Sequence, residues 1–215
     1  MAELNVVGSG DFVPEGARGL LEADFAADPL DQFRLWWDEG RARIKTPEAI
    51  ALATASADGA PSLRMVLLKG FDERGYVFYT NAGSRKGQEL TANPRAALLL
   101  HWEPMHRQVR IEGTVSRVTA AETERYFRTR PRESQAAAAI SQQSAVVASR
   151  DSLDRAYEQL LASAAGGEVP IPAEWTGFRV RPSLYEFWQA RLNRMHDRLS
   201  YRPDGERWII ERLSP

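Results

Sequence analysis

No cysteine occurs among the 215 residues, which excludes disulfides, thiolate metal sites and cysteine nucleophiles. Histidine is scarce: His101, His106 and His196 are spread along the chain, so a histidine-rich metal site is not expected and no metal is assigned. Lysine is scarce as well. Only Lys45, Lys69 and Lys86 stand among 28 basic residues, so a lysine here either marks a need for a compact point charge or falls there by chance. No apolar run approaches the ~20 residues of a membrane span. The opening MAELNVVGSGDFVPEG lacks the basic start and apolar stretch of a secretory signal, so the expectation is a soluble cytoplasmic protein without a membrane partner. A basic excess is also missing: 28 Lys+Arg against 29 Asp+Glu leave a net charge of −1, which argues against a general nucleic-acid binder. Neither GxGxxG nor GxxxxGK[ST] nor GxSxG is present, so no dinucleotide cradle, P-loop or nucleophile elbow is indicated.

What remains is an ordinary globular composition, 43% hydrophobic and 27% charged, in a chain long enough to bury a core without staples. Residues 1–27, rich in Gly, Ala and acidic residues, read as a flexible arm, and 28–215 as one domain. Asp28-Pro29 starts a helix that runs to about Lys45, with Leu30, Phe33, Trp36 and Trp37 on its packing stripe. AIALATAS and PSLRMVLLKGF, joined by Asp58-Gly59, then YVFYT, RAALLLHW and RQVRIEGTVSRV read as strands. SRKGQELTAN is a short helix opened by Ser84. Thr119 and Glu122 form a capping box for a helix through Arg130, stopped by Pro131. Residues 134–165 read as helical in two pieces, and GFRVRP, LYEFWQ and RWIIERL as three last strands. Seven or eight strands with short turns, and four or five helices, predict a mainly β, α+β fold with an antiparallel sheet able to curl into a barrel.

Three clusters can carry chemistry. Arg85 and Lys86 occupy the first turn after Ser84, the wrong end of a helix for cations unless an anion sits there with the free backbone amides. The alternative is a solvated loop with two exposed bases. Arg64 and Lys69 precede them on a strand, five apart, so strict alternation puts them on opposite faces and a shared ligand needs a bulge, a bend, or a site that wraps a strand end. The second cluster is Tyr126, Arg130 and Ser134, able to surround a phosphate dianion or, equally, to form an amphipathic helix with a surface arginine. The third is RMHDR, where His196, a group that can titrate near neutrality, is flanked by Arg194, Asp197 and Arg198 and follows Trp188.

Taken together, RMVLLK, YVFYTNAGSRKGQEL, RQVRIEGTV, YFRTRPRESQ, QQS at 142–144, EFWQ, RMHDR and WIIERLSP resemble the pyridoxine/pyridoxamine 5′-phosphate oxidases, in that family's order and over roughly residues 28–215. The resemblance implies an FMN-binding antiparallel split β-barrel that works as a homodimer, with FMN at the subunit interface. It implies that Arg64, Met65, Val66, Leu67, Leu68, Lys69, Tyr79, Thr80, Arg85 and Lys86 hold FMN. Gln108, Gln143, Ser144, Trp188 and Arg198 complete that site, some of them from the partner chain. Lys69, Tyr126, Arg130 and Ser134 match the clamp on the substrate phosphate. Arg194, Met195 and His196 match the substrate side, with Arg194 and His196 as the catalytic pair.

The implied reaction oxidises pyridoxine or pyridoxamine 5′-phosphate to pyridoxal 5′-phosphate, with O2 as acceptor and hydrogen peroxide as by-product. Two alternatives stand beside it: a related flavin oxidase of the phenazine-biosynthesis type, and a flavin- or pyridoxal-phosphate-binding protein without turnover. The chain departs from the family's pattern where glycines are common. Ala190-Arg191-Leu192-Asn193 stands between EFWQ and RMHDR, and AAAAIS stands before QQS. Residues 1–27 offer Arg18 and no Tyr as a lid.

Overall fold

The structure, a computed structural model, describes residues 19–164 and 167–215. In chain order the elements are α1 (Pro29–Arg43), β1 (Ala49–Ala55), β2 (Pro61–Asp72), β3 (Gly75–Asn81), α2 (Arg85–Ala92), β4 (Arg95–Trp102), β5 (Arg107–Arg117), α3 (Ala120–Thr129), α4 (Arg132–Ile140), α5 (Arg150–Ser163), β6 (Trp175–Gln189), β7 (Asp197–Asp204) and β8 (Arg207–Arg212). The strand order is β3-β2-β1-β4-β5-β6-β7-β8, and a further β3–β6 pairing joins the first six strands into a ring. That is the antiparallel split β-barrel which the resemblance implies. No helix among the described residues is long and apolar enough to cross a membrane.

The sequence reading errs at the C-terminal end. GFRVRP and LYEFWQ are one continuous strand, β6, and the segment read only as a motif continues into β7. Pro182 suggests a break because it lacks an N–H donor. On the edge that β6 shares with β3 and β7 the proline falls in a gap, since β3 pairs with residues 175–180 and β7 with 185–189.

By contacts the chain forms two compact units. The first comprises the chain up to Pro47 with 99–111 and 184–215. Asp28 caps α1 by accepting from Leu30 N, and α1 buries Phe33 and Trp36, the latter edge-on to Phe187 at 5.1 Å. Residues 1–18 of the expected arm lie outside the described residues. Its remainder is packed: Phe25 meets Trp36 and Phe187, Ala26 O accepts from Tyr201, and Leu20 N donates to Asp197. Phe25 and Leu20 place apolar surface against this unit, which counters the entropy lost in ordering the segment.

The second unit comprises 48–98 and 112–183. Ile50, Leu52, Phe78, Leu90, Leu98 and Val180 are buried in it. Gly87 lets α2 approach the preceding turn, since a Cβ there would lie 2.3 Å from Ala82 O. The functional cavity belongs to this unit.

Candidate functional site

β2 is paired along its length in two stages. Residues 61–67 pair with β1, whereas β3 takes up β2 only from Leu68 onward. The outer edge of 61–67 therefore has no strand partner among the described residues. At the transition the register slips between Leu68 and Gly70, leaving Lys69 as the extra residue of a bulge. Arg64 and Lys69, on opposite faces by alternation, nevertheless line the same cavity. Leu63, Met65 and Leu67 line it too, so it wraps around the strand, while Leu68 points into the core at 4% exposure.

α2 forms the next wall. Ser84 is fully buried as its N-cap, and its hydroxyl accepts from Gly87 N. Lys86 follows in the first turn and is buried. Its Nζ donates to three neutral oxygens, Gln143 Oε1 at 2.7 Å, Thr80 Oγ1 at 3.0 Å and Ser84 Oγ at 3.1 Å. Burial, with Arg64 nearby as the lesser cause, pushes its ammonium down to about 8. Ser144, in a left-handed conformation at φ 74°, accepts from Arg85 N. Thus Gln143 and Ser144 of the same chain reach the start of α2.

One residue central to this wall escapes that reading. The buried Glu89 carboxylate accepts from Thr54, Ser62 and Arg64 on one oxygen and from Arg85 Nε on the other, at 2.8 Å. Burial works against its ionised form, but these hydrogen bonds outweigh it and hold Glu89 down to about 2. Its i,i+4 spacing from Arg85 is visible in the sequence, whereas its partners on β1 and β2 are not.

The far wall comes from α3 and α4. The capping box of Thr119 and Glu122 forms as expected. Tyr126 lies one turn from the end of α3, Arg130 is its C-cap, and Ser134 follows Pro131 in the first turn of α4. Tyr126 stacks on Tyr79 at 4.0 Å, and Tyr79 on Trp175 at 5.3 Å. The Arg130 guanidinium sits 5.0 Å over the Trp175 ring, a cation–π contact that fixes its plane. Arg130 Nη1 is buried without a hydrogen-bond partner, and burial pushes this guanidinium below its ordinary range. A buried donor left unpaired costs about 1–3 kcal/mol, which an anion in the cavity would recover. The cavity encloses about 870 Å³, and Lys69, Tyr79, Thr80, Arg85, Tyr126 and Arg130 all line it.

The remaining predicted residues belong to the first unit. Gln108 lies on β5, and Trp188 near the end of β6 packs obliquely on His196 at 4.7 Å. Arg191 N donates to His196 Nδ1, so a neutral His196 carries its proton on Nε2 and presents a donor. Arg198 is held by the buried Glu186, which also pairs with Arg110. Arg194 and Met195 are exposed. In the unusual segment, Ala190 is buried at ordinary φ, whereas Leu192 is half exposed. Asn193 at φ 56° and Arg194 at φ 59° stand consecutively in the left-handed region. Asn visits it more readily than Arg, and each such residue costs about 1–2 kcal/mol. Asn193→Gly is therefore expected to raise thermal stability slightly, by no more than about 1 kcal/mol, in a melting experiment.

Residues 37–163 match the family described as pyridoxamine 5′-phosphate oxidase, and 175–215 match the pyridoxine 5′-phosphate oxidase C-terminal dimerisation region. A pyridoxine/pyridoxamine 5′-phosphate oxidase of Gloeothece citriformis is 51% identical over 199 residues, covering 92% of this chain and 93% of that protein. One of Rubrobacter xylanophilus is 49% identical over 217 residues, covering 94% and 100%. Among solved structures, PhzG from Burkholderia lata 383, in complex with tetrahydrophenazine-1-carboxylic acid, superposes with a TM-score of 0.86 at 34% identity, covering 91% of this chain and 98% of that one.

Proposed function

The chain belongs to the pyridoxine/pyridoxamine 5′-phosphate oxidase family, and we propose that it is an FMN-dependent oxidase making pyridoxal 5′-phosphate. Pyridoxine 5′-phosphate and O2 give pyridoxal 5′-phosphate and H2O2; pyridoxamine 5′-phosphate, O2 and water give the same products with ammonia. The observation that carries this reading is a single cavity lined by cations from different elements. Arg64 of β2 and Arg85 and Lys86 of α2 line it, and so do Lys69 at the bulge and Arg130 at the end of α3. Two phosphates, one of a cofactor and one of a substrate, suit two such groups.

The residues fit FMN. Lys86 is a buried cation with only neutral oxygens as hydrogen-bond partners, at the positive end of a helix dipole that favours an anion. The unpaired edge of 61–67 offers backbone groups to a planar heterocycle. The chemistry that bound FMN would supply is two-electron acceptance from the substrate's exocyclic carbon, with O2 as the final acceptor. The chain's own share is placement. Lys69, Tyr126, Arg130 and Ser134 grip the substrate phosphate; Arg194 and His196, assigned by the resemblance, orient the ring, His196 as a donor through Nε2. A match to a dimerisation region and the exposed Leu63, Met65 and Leu67 of β2 support a homodimer.

Lys86 gives this assignment a pH signature. A phosphate dianion favours the ammonium form, so binding raises the Lys86 pKa above its free value of about 8 and takes up a proton. FMN affinity should therefore fall as pH rises past about 8, by at most about tenfold per unit. The free protein should move the other way. Its unfolded chain keeps the proton to about 10.5, so its stability rises with pH between about 8 and about 10.5. Flavin titrations from about pH 7 to about pH 9.5 measure the first effect, and Lys86→Met should flatten it.

The likeness to PhzG supports a second reading, an oxidase of a carboxylated tricyclic compound. Oxidation of pyridoxine 5′-phosphate compared with unphosphorylated pyridoxine separates the two. A clamp built on Lys69 and Arg130 predicts strong dependence on the phosphate, and equal rates would discard it.

A further inference from the structure

Arg179 lies on β6, is not among the residues assigned to FMN or substrate, and is only 12% exposed through its side chain. Its guanidinium forks. Nη1 donates to Asp72 Oδ1 at 2.7 Å and Nη2 donates to Glu122 Oε1 at 2.9 Å. Asp72 ends β2, three residues beyond the bulge at Lys69. Glu122 is the capping-box residue of α3, one turn before Tyr126 and two turns before Arg130. One side chain thus ties together the two elements that carry the substrate-phosphate clamp.

Other contacts tighten the same joint. Arg74 pairs with Asp72 at 2.7 Å and Glu122 at 3.2 Å, and Tyr79 O–H donates to Glu122 O. Hydrogen bonds hold both carboxyls below their ordinary range despite the cost of burial. A second cavity of about 350 Å³ borders the joint and shares Lys69, Tyr79, Tyr126 and Thr129 with the main one. Arg74 is largely exposed, and an exposed ion pair is worth little. Arg179, enclosed and forked, is the stiff link.

We infer that Arg179 is a positioning residue for phosphate recognition, setting the spacing between Lys69 on β2 and Tyr126 and Arg130 on α3. The inference rests on the proposed substrate reading. A shift of about 1 Å in a binding group can cost up to roughly 100-fold. Here the flavin end of the cavity, built on α2, keeps its own supports in Glu89 and Ser84. Loss of Arg179 should thus act on the phosphate and spare the flavin.

The test is steady-state kinetics on FMN-loaded protein, with inorganic phosphate as a competing probe. In Arg179→Ala the KM for pyridoxine 5′-phosphate should rise about tenfold. The inhibition constant of inorganic phosphate should rise by a similar factor, while kcat and flavin content stay within about twofold. Arg179→Lys, which reaches one carboxylate at a time, should recover part of the KM. Should Arg179→Ala not fold, Asp72→Asn and Glu122→Gln carry the same expectation with side chains of unchanged size. An unchanged KM, or a fall in kcat with KM and phosphate inhibition unmoved, overturns the inference while leaving the proposed function intact. A wild-type protein that does not oxidise pyridoxine 5′-phosphate overturns the proposed function and takes the inference with it.

Discussion

Replacing Arg85 and Lys86 together with Ala is expected to weaken FMN binding by roughly 10²–10⁴-fold, as each charge-assisted phosphate contact contributes about 1.5–3 kcal/mol. The two side chains do not contribute alike. Lys86 is buried against Thr80, Ser84 and Gln143, so its charge acts in a poorly solvated place where an anion counts most. Arg85 is mostly exposed and pairs with Glu89, so part of its charge is already used. Lys86→Ala should carry the larger share. It also removes a buried cation that the flavin-free fold tolerates at a cost, so the variant should fold at least as well without FMN as the parent. Flavin content after purification and a titration of the flavin-free protein measure the effect. Undiminished affinity in the double variant would move the phosphate site away from α2.

Arg194→Ala is expected to depress turnover of pyridoxine 5′-phosphate on the order of 100-fold while leaving flavin content unchanged. Arg194 is exposed and forms no hydrogen bond or ion pair among the described residues, so its loss removes little that holds the fold. Its left-handed backbone is nevertheless retained at φ 59°, next to Asn193 at φ 56°. Strained backbone of this kind persists where surroundings over-determine it and clusters at functional sites. His196→Ala should act in the same direction and more mildly, since Trp188 and Arg191 N orient a ring that donates one hydrogen bond. Kinetics with flavin occupancy measured for each variant decide the matter. Full activity in Arg194→Ala would remove the RMHDR motif from the substrate side.

Local chemistry was readable ahead of the structure wherever partners are close in sequence. The Ser84 and Thr119 caps, the Asp58-Gly59 turn with Gly59 at φ 90°, and the two-piece helix after Pro131 all follow from neighbours within a few residues. Long-range arrangement was not readable. Nothing in RMVLLKG marks the bulge at Lys69, because a bulge is a mismatch between two strands and only one of them is in that string. Glu89, Glu186 and Arg179 look like ordinary charges on helix and strand, yet each is enclosed by partners 12 to 107 residues away. Pro182 misleads because its meaning depends on which neighbours pair beside it. Candidate cations are therefore legible as residue types at positions, and the carboxylates that hold them emerge only from the fold.

Oxidase activity is decided by adding pyridoxine 5′-phosphate to the FMN-loaded protein and measuring pyridoxal 5′-phosphate and hydrogen peroxide in the same sample, with the flavin absorbance followed first without oxygen. The yellow colour should bleach before oxygen is admitted and return afterwards, with one peroxide for each pyridoxal 5′-phosphate over many turnovers. A flavin that stays oxidised in the presence of saturating pyridoxine 5′-phosphate and pyridoxamine 5′-phosphate, with neither product formed, would contradict the proposed function.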